Sequence, residues 1–460
     1  MDGTTPTDNA MHVYDRDHHL HGQTNLRQHG DGGPTVMVTH GKGVRFTTDD
    51  GRTLIDGFSG LGCISLGYDN DRLVKAATQQ METLPFAPTF YGRSHPKVAE
   101  LSERLTSMAA VPMDRVMFQC SGSEANDAII KFLWYRNIAR GQPNRRKIIS
   151  RWRGYYGNTI AAVSASGQPH MHAKFGLPLD GFLKLSTPNY YLAHTDGESE
   201  EEFSDRMARE FDNLIANENP DTIAAFFAEP MQSGGGAIRP PKGYWQAMQT
   251  IIRKHDIHFH VDEVVCGFGR TGYMWGAEAF DLKPDSTSCA KALTAAFFPM
   301  SALMIKEDFY QDMMNNSDEV GVLGHGFTYA GHPVGAAVAL EALQIYEDID
   351  LIGHVRRVSR KFLDRCNALA DHPLVADVRG IGLFCGFQLM ADRVKRIHFE
   401  PDQKIGVRVQ DAAHSRGLYL RSIPVDRISF MPPLIINETE IDEAVDIFKD
   451  ALDAVWREIH

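Results

Sequence analysis

Short apolar segments rich in β-branched residues alternate along the chain with longer segments whose apolar residues recur every three or four positions. In the middle of the chain the order is strand (147–150), helix (201–216) and strand (222–228). Such alternation is typical of a mainly parallel sheet covered by helices on both faces. A further apolar run predicts a buried strand at 257–265, and a shorter one leads to Lys291. The pattern therefore predicts an α/β fold.

The same patterns continue toward both ends of the chain. Two short strands, 36–38 and 44–47, with a turn at Asp49-Asp50-Gly51, predict a small antiparallel hairpin. Further helices are predicted at 71–83, 94–109, 121–140, 333–346, 355–370, 405–415 and from Glu438, and further strands at 116–118, at 378–389 with breaks at Gly380 and Gly382, near 418 and near 428. Because 460 residues exceed the size of a single core, we expect an N-terminal segment (1–70) joining a small domain, a large domain (71–335) and a C-terminal small domain (336–460).

The strand at 257–265 carries an acid, Asp262, near its C-terminal end, where open α/β sheets bind their ligands. Lys291 follows the next short apolar run. Pyridoxal phosphate chemistry requires such a pair, because a lysine forms the Schiff base and a carboxylate keeps the pyridine nitrogen protonated. Acids and lysines adjoin strands in many enzymes, so this pair needs support from other positions.

The turn Ser121-Gly122-Ser123 between a predicted strand and helix is suited to holding a phosphate. The helix that follows offers free backbone N–H groups and the positive end of its dipole, and Gly122 allows close approach. The same residues fit an ordinary helix start, with Ser121 as N-cap and Glu124 in the first turn. The turn alone leaves both interpretations open.

Three loops bring aromatic and acidic side chains near strand ends. Tyr155 lies in a glycine-flanked loop after a predicted strand, where its ring can stack on a planar cofactor. Glu229 follows the strand at 222–228 and places a second carboxylate at the same sheet edge. The loop 85–92, which contains Phe90, is bracketed by prolines and either binds a ligand or plugs a domain interface.

Two other chemistries compete for the same stretch. Residues 267–272 match G-x-G-x-x-G after a strand, as in NAD-dependent oxidoreductases, but that motif requires a helix to open at the third glycine, and Tyr273 continues a loop. His258, His260 and Asp262 alternate along the strand and therefore share one face, as metal ligands could. We retain an NAD-dependent oxidoreductase and a metal-dependent enzyme as alternatives.

A further histidine cluster, His18-His19-Leu20-His21, lies in the polar N-terminal segment. A metal site there requires another ligand group at a defined spacing. The sequence around the cluster shows no such group, so the cluster alone does not predict a site.

Composition narrows the range of partners and compartments. The chain has 47 Lys and Arg against 59 Asp and Glu, a net charge of −12, which disfavours nucleic acid and anionic membranes as partners. Its six cysteines are scattered and are expected to be reduced thiols. The first residues lack the apolar core of a signal peptide, and no apolar run is long enough to span a bilayer. We expect a cytoplasmic protein.

Six stretches carry a family resemblance when they are taken together and in order. They are SGSEAND (121–127), RGYYG (153–157), AEP (228–230), DEVVCGFGRTG (262–272), AKALT (290–294) and GHGFTYAGHP (324–333). The chain resembles the class III pyridoxal phosphate-dependent aminotransferases, and among them the omega-transaminases that pair amines with pyruvate. The resemblance runs from about residue 15 to the C-terminus. It implies fold type I, with a large domain of mainly parallel sheet covered by helices and a smaller α+β domain built from both termini.

The resemblance implies a role for each candidate residue. Lys291 is expected to form the Schiff base with pyridoxal 5'-phosphate and to shuttle the proton in a ping-pong transamination, with Asp262 paired to the pyridinium nitrogen. The remaining expectations are that Ser121, Gly122 and Ser123 hold the phosphate, Val264 and Tyr155 pack on the two ring faces, Glu229 supports the ring, and Thr328 comes from the neighbouring subunit. A shared site implies a homodimer or a tetramer.

The resemblance also bears on the substrate. Arg421 matches a mobile arginine that binds the carboxylate of a keto acid such as pyruvate and swings away for an amine without one; a surface salt bridge is the alternative. Gly234 stands where relatives acting on ornithine or 4-aminobutyrate carry a glutamate that screens this arginine. Gly62 stands where pyruvate-using relatives often carry a tryptophan, which predicts a pocket open to bulkier or longer amines. The expected substrate contacts are Leu61, Gly62, Phe90, Tyr155 and Arg421.

Overall fold

The structure, a computed structural model, describes residues 8–460, with side chains from residue 10 onward. Its strands are β1 (Val38–Lys42), β2 (Arg45–Thr48), β3 (Thr53–Asp56), β4 (Arg115–Gln119), β5 (Lys147–Arg151), β6 (Phe182–Leu185), β7 (Ile223–Ala228), β8 (His258–Asp262), β9 (Ser286–Cys289), β10 (Ser301–Ile305), β11 (Val375–Ile381), β12 (Phe384–Leu389), β13 (Leu418–Tyr419), β14 (Arg421–Ile423) and β15 (Arg427–Phe430). Its helices are α1 (Asp8–His18), α2 (Leu26–Gly32), α3 (Ser59–Gly62), α4 (Asp71–Thr83), α5 (Pro96–Ser107), α6 (Gly122–Ala139), α7 (Ile160–Ala165), α8 (Pro169–His172), α9 (Tyr190–Ala193), α10 (Glu200–Asn217), α11 (Tyr244–Lys254), α12 (Gly276–Ala279), α13 (Glu307–Val320), α14 (Pro333–Asp348), α15 (Leu351–Asn367), α16 (Ile405–His414) and α17 (Glu438–Ile459).

The central sheet has seven strands in the order β4-β10-β9-β8-β7-β5-β6. Strands β5 to β9 are parallel to their neighbours among themselves, and β10 is antiparallel to both β4 and β9. The predicted α/β fold with a mainly parallel sheet is confirmed. Because parallel strands end at one edge, β8 delivers Asp262 and β9 leads to Lys291 at the same edge of the sheet.

Helix α6 holds the edge of the sheet where the candidate residues meet. It packs against β4, β7, β9 and β10. Its buried apolar residues, which include Ala125, Ile129 and Phe132, recur at helical spacing and form the face that lies on the sheet. The first turn of α6 is therefore fixed beside the ends of β8 and β9.

Two smaller sheets join the ends of the chain. Strands β1, β2 and β3 pair with β13, which runs parallel to β3 with Leu418 opposite Ile55. Strands β11, β12, β15 and β14 form an antiparallel sheet. The N-terminal strands and the C-terminal part of the chain thus contribute to one small α+β unit, as the predicted fold class requires. The partition of the chain at residues 70 and 335 stays a prediction that these pairings support.

Several elements differ from the sequence prediction. Helices α1 and α2 were not predicted, because their polar composition leaves no apolar period to recognise. The first strand begins at Val38 instead of residue 36. The strand at 378–389 is a hairpin of β11 and β12, and Gly382 turns it with φ +59°, where a Cβ would lie 2.3 Å from the carbonyl oxygen of Arg270. Over residues 8–460, no helix is both long and apolar enough to cross a membrane.

Candidate active site

Asp262, the last residue of β8, is buried at the edge of the central sheet. Its Oδ2 accepts a hydrogen bond of 2.6 Å from Nδ2 of Asn126, and its Oδ1 accepts one of 2.8 Å from the N–H of Val264. Burial raises the pKa of Asp262 to about 7, and the charge of Glu229 adds to the rise. The ionised carboxylate therefore gains most from a nearby cation, such as a protonated pyridine nitrogen.

A chain of buried hydrogen bonds fixes Asn126 beneath this carboxylate. Oδ1 of Asn126 accepts from Oγ of Ser288 at 2.7 Å and lies 3.0 Å from Nε2 of His260. Nδ1 of His260 lies 2.8 Å from Oγ of Ser286, and Nε2 of His258 lies 2.8 Å from the same hydroxyl. Burial lowers the pKa of His258 to about 3 and that of His260 well below its usual value. Both histidines are thus neutral hydrogen-bonding groups within a closed network.

Lys291 directly follows β9 and opens a short 3-10 helix with φ +51°. A residue other than glycine in this left-handed region costs about 1–3 kcal/mol and persists where surrounding packing determines it. Burial lowers the pKa of the Lys291 amine, against the opposing charges of Cys63 and Asp262. The charge of Lys291 in turn lowers the pKa of Asp262. The two groups therefore act on each other at the same edge of the sheet.

Gly62, at the end of α3, approaches the amine of Lys291. A Cβ on Gly62 would lie 3.8 Å from Nζ of Lys291, 3.5 Å from Cε of Met431 and 3.9 Å from Cγ1 of Val265. A Cβ would therefore fit in ordinary van der Waals contact with these three groups, and its absence leaves room for at least one carbon atom beside the amine. The neighbouring Leu61 is 59% exposed, so most of its side chain lies in solvent in the single chain.

The turn before α6 contains a capping box. Oγ of Ser121 accepts from the N–H of Glu124 at 3.3 Å, and Oε2 of Glu124 accepts from the N–H groups of Ser121 at 3.1 Å and Cys120 at 2.7 Å. The hydroxyl of Ser121 therefore acts as an ordinary N-cap. The N–H groups of Gly122 and Ser123 stay available for another partner, because the first turn of a helix has no intrahelical acceptors for them.

Gly122 and Ser123 supply these N–H groups close to Asp262. A Cβ on Gly122 would lie 3.0 Å from Cγ2 of Val264, so the turn lies directly against this side chain. Oγ of Ser123 accepts from the N–H of Asn158 at 3.0 Å. Helix dipole, free N–H groups and close backbone approach together suit a phosphate.

Glu229 holds the loop that carries Tyr155. Its Oε1 accepts from the N–H of Tyr155 at 3.1 Å, and its Oε2 accepts from the N–H and Oγ of Ser233 at 2.8 and 2.7 Å. Burial raises the pKa of Glu229. A Cβ on Gly234 would lie 2.7 Å from Cβ of Tyr155, so a glutamate at this position would displace the tyrosine.

Arg421 opens β14 at the surface. Its guanidinium carbon lies 5.7 Å from the centre of the Phe58 ring. No carboxylate of residues 10–460 forms an ion pair with it, so a surface salt bridge is not what holds it. Burial is the main cause of the lowered pKa of Lys291, and the charge of Arg421 lowers that pKa further. Burial also raises the pKa of Tyr155, and there the charge of Arg421 acts in the opposite direction. The guanidinium is thus within electrostatic reach of the site.

Phe90 and Thr328 belong to neighbouring surface loops. A Cβ on Gly326 would lie 2.0 Å from Cε1 of Phe90, so the ring covers the backbone of the loop that carries the exposed Thr328. Oγ1 of Thr89 donates to the carbonyl oxygen of Ala330 at 3.1 Å and joins the two loops. In the single chain, Phe90 and Thr328 therefore lie on two loops that contact each other.

Neither alternative chemistry is supported. No helix opens at Gly272, which has φ +84°, and the next helix, α12, has four residues. A dinucleotide-binding motif requires a helix at that point. The face of β8 that carries His258, His260 and Asp262 is filled by the hydrogen bonds described above and forms no metal-ligand cluster among the described side chains.

Asn126 is a site residue that the sequence prediction missed. It lies inside a recognised motif, but its contact with Asp262 spans 136 positions and depends on how α6 crosses the sheet. A signal was present, because Asn126 is a polar residue within the mainly apolar first turns of the helix, and buried polar residues are informative. The role of His260 was missed for the same reason.

Comparisons with known proteins agree with this geometry. The family profile described as Aminotransferase class-III matches residues 27–452. Gamma-aminobutyrate transaminase 1 of Oryza sativa subsp. japonica is 41% identical over 420 residues, 91% of this chain and 81% of the relative. The omega transaminase of Pseudomonas jessenii in complex with PMP has a TM-score of 0.95 and 41% identity, with 97% of this chain and 98% of that chain covered. A thermostable omega transaminase variant engineered for asymmetric synthesis of enantiopure bulky amines has a TM-score of 0.96 and 41% identity, with 98% and 100% covered.

The chain belongs to the class III aminotransferases. It has the fold of the pyridoxal phosphate-dependent enzymes of this family and is a transaminase that moves an amino group from an amine to a keto acid. The expectations of family, fold, cofactor and reaction are confirmed. The roles of individual residues, the keto acid and the assembly stay predictions.

Proposed function

We propose that this transaminase takes an amino group from a bulky or long amine without an α-carboxylate and passes it to pyruvate or a similar keto acid. The proposal rests on two features near Lys291, one at Gly62 and one at Arg421. Gly62 leaves the room of a side chain unfilled beside the amine of Lys291, and Arg421 offers a guanidinium that no carboxylate of the described residues neutralises.

The residues at the sheet edge suit pyridoxal phosphate. Bound there, the cofactor supplies an electron-accepting ring that stabilises negative charge on the substrate carbon. Lys291 would hold it covalently through Nζ, and the N–H groups of Gly122 and Ser123 would bind its phosphate. Asp262 would pair with the ring nitrogen through a carboxylate that Asn126 already orients at 2.6 Å.

Three more residues are proposed to shape the cofactor pocket. Val264 lies against Gly122 and would cover one face of the ring. Tyr155 would cover the other, because Glu229 fixes its backbone at 3.1 Å. Once released from the cofactor by the substrate, Nζ of Lys291 would take a proton from the substrate carbon and deliver it to the C4′ carbon of the cofactor, a task that suits an amine whose pKa burial has lowered.

The space at Gly62 supports a large amine as donor. The bulky-amine variant described above carries substitutions at a tryptophan, a phenylalanine and an arginine, and the separations between these positions match those between Gly62, Phe90 and Arg421. In this chain the first of the three is already glycine. We propose that Gly62, Phe90 and Arg421 line the substrate pocket together with Leu61 and Tyr155.

Arg421 supports a keto acid as acceptor. Its guanidinium can bind a carboxylate with two parallel hydrogen bonds and can turn outward when the partner has none. A screening glutamate has no room at Gly234, because Tyr155 fills the space. Movement of the arginine side chain is therefore the proposed means by which one pocket accepts both substrates.

We also propose a homodimer, or a tetramer built from such dimers, with Thr328 completing the site of the partner subunit. Apolar side chains of the loops around it are exposed in the single chain, namely Tyr91 at 92%, Tyr329 at 63% and Phe86 at 40%. Exposed apolar patches of this kind mark association surfaces. For the compartment we propose the cytoplasm, because all six cysteines are free thiols.

A donor and acceptor panel tests the proposal. Purified enzyme loaded with pyridoxal phosphate is assayed with 1-phenylpropylamine, isopropylamine and 4-aminobutyrate as donors, each with pyruvate and with 2-oxoglutarate. The proposal expects the aryl amine with pyruvate to give the highest kcat/KM. Preference for 4-aminobutyrate, or for 2-oxoglutarate as acceptor, would overturn the substrate assignment while leaving the transaminase reaction intact.

A further inference from the structure

Four ligand-type side chains meet between the two N-terminal helices, outside the active site. Asp15 of α1 faces two histidines of the following loop, His19 and His21, and one of α2, His29. The distances from its carboxylate oxygens are 3.2 Å to Nδ1 of His19, 2.9 Å to Nε2 of His21 and 3.5 Å to Nε2 of His29. The fold therefore adds Asp15 and His29 to the histidine pair that the sequence marks. We call these four residues the α1–α2 cluster.

One nitrogen of the α1–α2 cluster is buried without a partner. Nε2 of His29 forms no hydrogen bond with any described residue, and Oδ1 of Asp15, which lies 2.9 Å from Nε2 of His21, is 3.5 Å from it. His29 is only 7% exposed. Buried polar atoms in native proteins are nearly always paired. A further partner placed between His29 and Asp15 would satisfy this nitrogen.

Hydrogen bonding inside the α1–α2 cluster does not account for the His29 nitrogen. Both oxygens of Asp15 approach the other two histidines, with Oδ2 at 3.2 Å from His19 and 3.1 Å from His21, and Oδ1 at 2.9 Å from His21. Nε2 of His29 faces the Oδ1 side of this carboxylate at 3.5 Å without forming a hydrogen bond.

We propose that the α1–α2 cluster binds one divalent transition-metal ion, with Zn²⁺ as the best match. Tetrahedral Zn²⁺ holds nitrogen and oxygen ligands at about 2.0–2.2 Å, which sets neighbouring ligand atoms about 3.3–3.5 Å apart. The three distances from Asp15 span this value, and the ligand atoms of Asp15, His19 and His21 all lie within 4.8 Å of one another. Three imidazoles with one carboxylate favour zinc over calcium or magnesium.

The proposed site is structural. Asp15, His19 and His21 already lie within mutual reach, and His29, 3.5 Å from Asp15, would move in as the fourth ligand. Four protein ligands would fill a tetrahedral ion completely and leave no position for a substrate. The ion would close the loop between α1 and α2, and this loop contacts the body of the protein through Gln23, whose Oε1 lies 3.3 Å from Nε2 of His170. Helix α1 is also tied to the body by a pair between His12 and Asp49. Metal binding is therefore expected to stabilise the N-terminal segment without taking part in transamination.

Cobalt titration of the holoenzyme tests the site. The protein is treated with chelator, and Co²⁺ is added while visible absorption is followed at wavelengths longer than the band of the cofactor, where tetrahedral Co²⁺ absorbs. One tight Co²⁺ per chain is expected, displaced by Zn²⁺. His29→Ala and Asp15→Asn should each weaken binding by about tenfold or more, since the first removes a nitrogen ligand, the second removes the negative charge of the carboxylate, and losing even a residue that only orients a ligand costs about 10–100-fold.

His18→Ala is the matched control, because His18 ends the same helix and lies outside the α1–α2 cluster. It should bind Co²⁺ as the wild type does. The melting temperature should rise with Zn²⁺ in the wild type and His18→Ala but not in Asp15→Asn, which keeps the side-chain shape if His29→Ala fails to fold. The proposal is overturned if the wild type binds no tetrahedral Co²⁺, or if Asp15→Asn binds it as tightly as the wild type.

Discussion

Replacing Gly62 with tryptophan tests whether the open space beside Lys291 sets the size of the amine. A Cβ at this position would lie 3.8 Å from Nζ of Lys291 and 3.5 Å from Cε of Met431. An indole built on it would start beside Nζ, on the side where we propose that the larger substituent of the amine lies. Gly62→Trp is expected to exclude large donors and to spare small ones.

Two separate effects determine how far Gly62→Trp lowers kcat/KM. Gly62 has φ +75°, so any side chain there adds backbone strain of about 1–2 kcal/mol. That cost falls on every substrate alike. The lost volume acts only on large donors, and pocket mismatches of one or more methylene groups change kcat/KM by about 10–200-fold. The ratio of kcat/KM for 1-phenylpropylamine to that for isopropylamine should therefore fall by about this factor in Gly62→Trp.

The measurement is initial rates of both donors with pyruvate at saturating cofactor. Gly62→Ala is the control, because it adds the same strain with almost no bulk, and it should leave the ratio nearly unchanged. A Gly62→Trp enzyme whose two donors lose activity equally, or whose ratio rises, would show that Gly62 does not define the large-substituent side of the pocket.

Three further predictions concern the reacting groups. Lys291→Ala should keep the fold and lower turnover by about 10²–10⁴-fold or more; rates near those of the wild type would contradict its role. Arg421→Leu should lower kcat/KM for pyruvate by about 10–100-fold, since a hydrogen bond to a charged group contributes about 1.5–3 kcal/mol, and should spare an aldehyde acceptor; equal losses would count against carboxylate binding. The pKa of Asp262 is about 7 in the fold and 3.8 ordinarily, so the cofactor-free wild type should lose up to about 4 kcal/mol of stability as pH rises between these values. Melting curves of cofactor-free Asp262→Asn and wild type should agree at about pH 4 and separate at about pH 8, with the variant more stable; a constant difference would refute the buried ionisation.

The sequence predicts an element best where a local signal marks both its body and its ends. Helix α4 occupies its predicted range, 71–83, because its apolar period is clear and Oδ1 of Asn70 caps it by accepting from the N–H of Leu73 at 3.3 Å. Helix α1 has no such apolar period and was missed. For the same reason Asp15 could not be assigned to the histidine pair, although helical spacing places it one turn before His19.

Among the residues of the candidate site, too, those marked by a local pattern could be predicted and those that depend on distant contacts could not. Asp262 and Lys291 could be recognised because Asp262 ends a buried strand and Lys291 comes just after the next one, at a known sheet edge, which is a local pattern. Asn126 could not, since its partner lies 136 positions away and the contact exists only once α6 crosses the sheet. Gly62 shows the same limit in another form, because nothing in its neighbourhood in the sequence reveals that it faces the amine of Lys291.

Asp262 and Glu263 show why burial alone does not identify a cofactor ligand. Burial raises the pKa of both, to about 7 and about 8. The oxygens of Glu263 accept from the N–H groups of Gly276 at 2.9 Å and Ala277 at 2.6 Å, so its partners belong to the protein in every state. Asp262 instead lies beside Lys291 and the turn at Gly122, where a positively charged ring nitrogen can join it. Glu263→Gln should therefore change stability equally with and without pyridoxal phosphate. Asp262→Asn should stabilise the cofactor-free protein at about pH 8 and destabilise the loaded one, because only the ionised carboxylate gains from the cation.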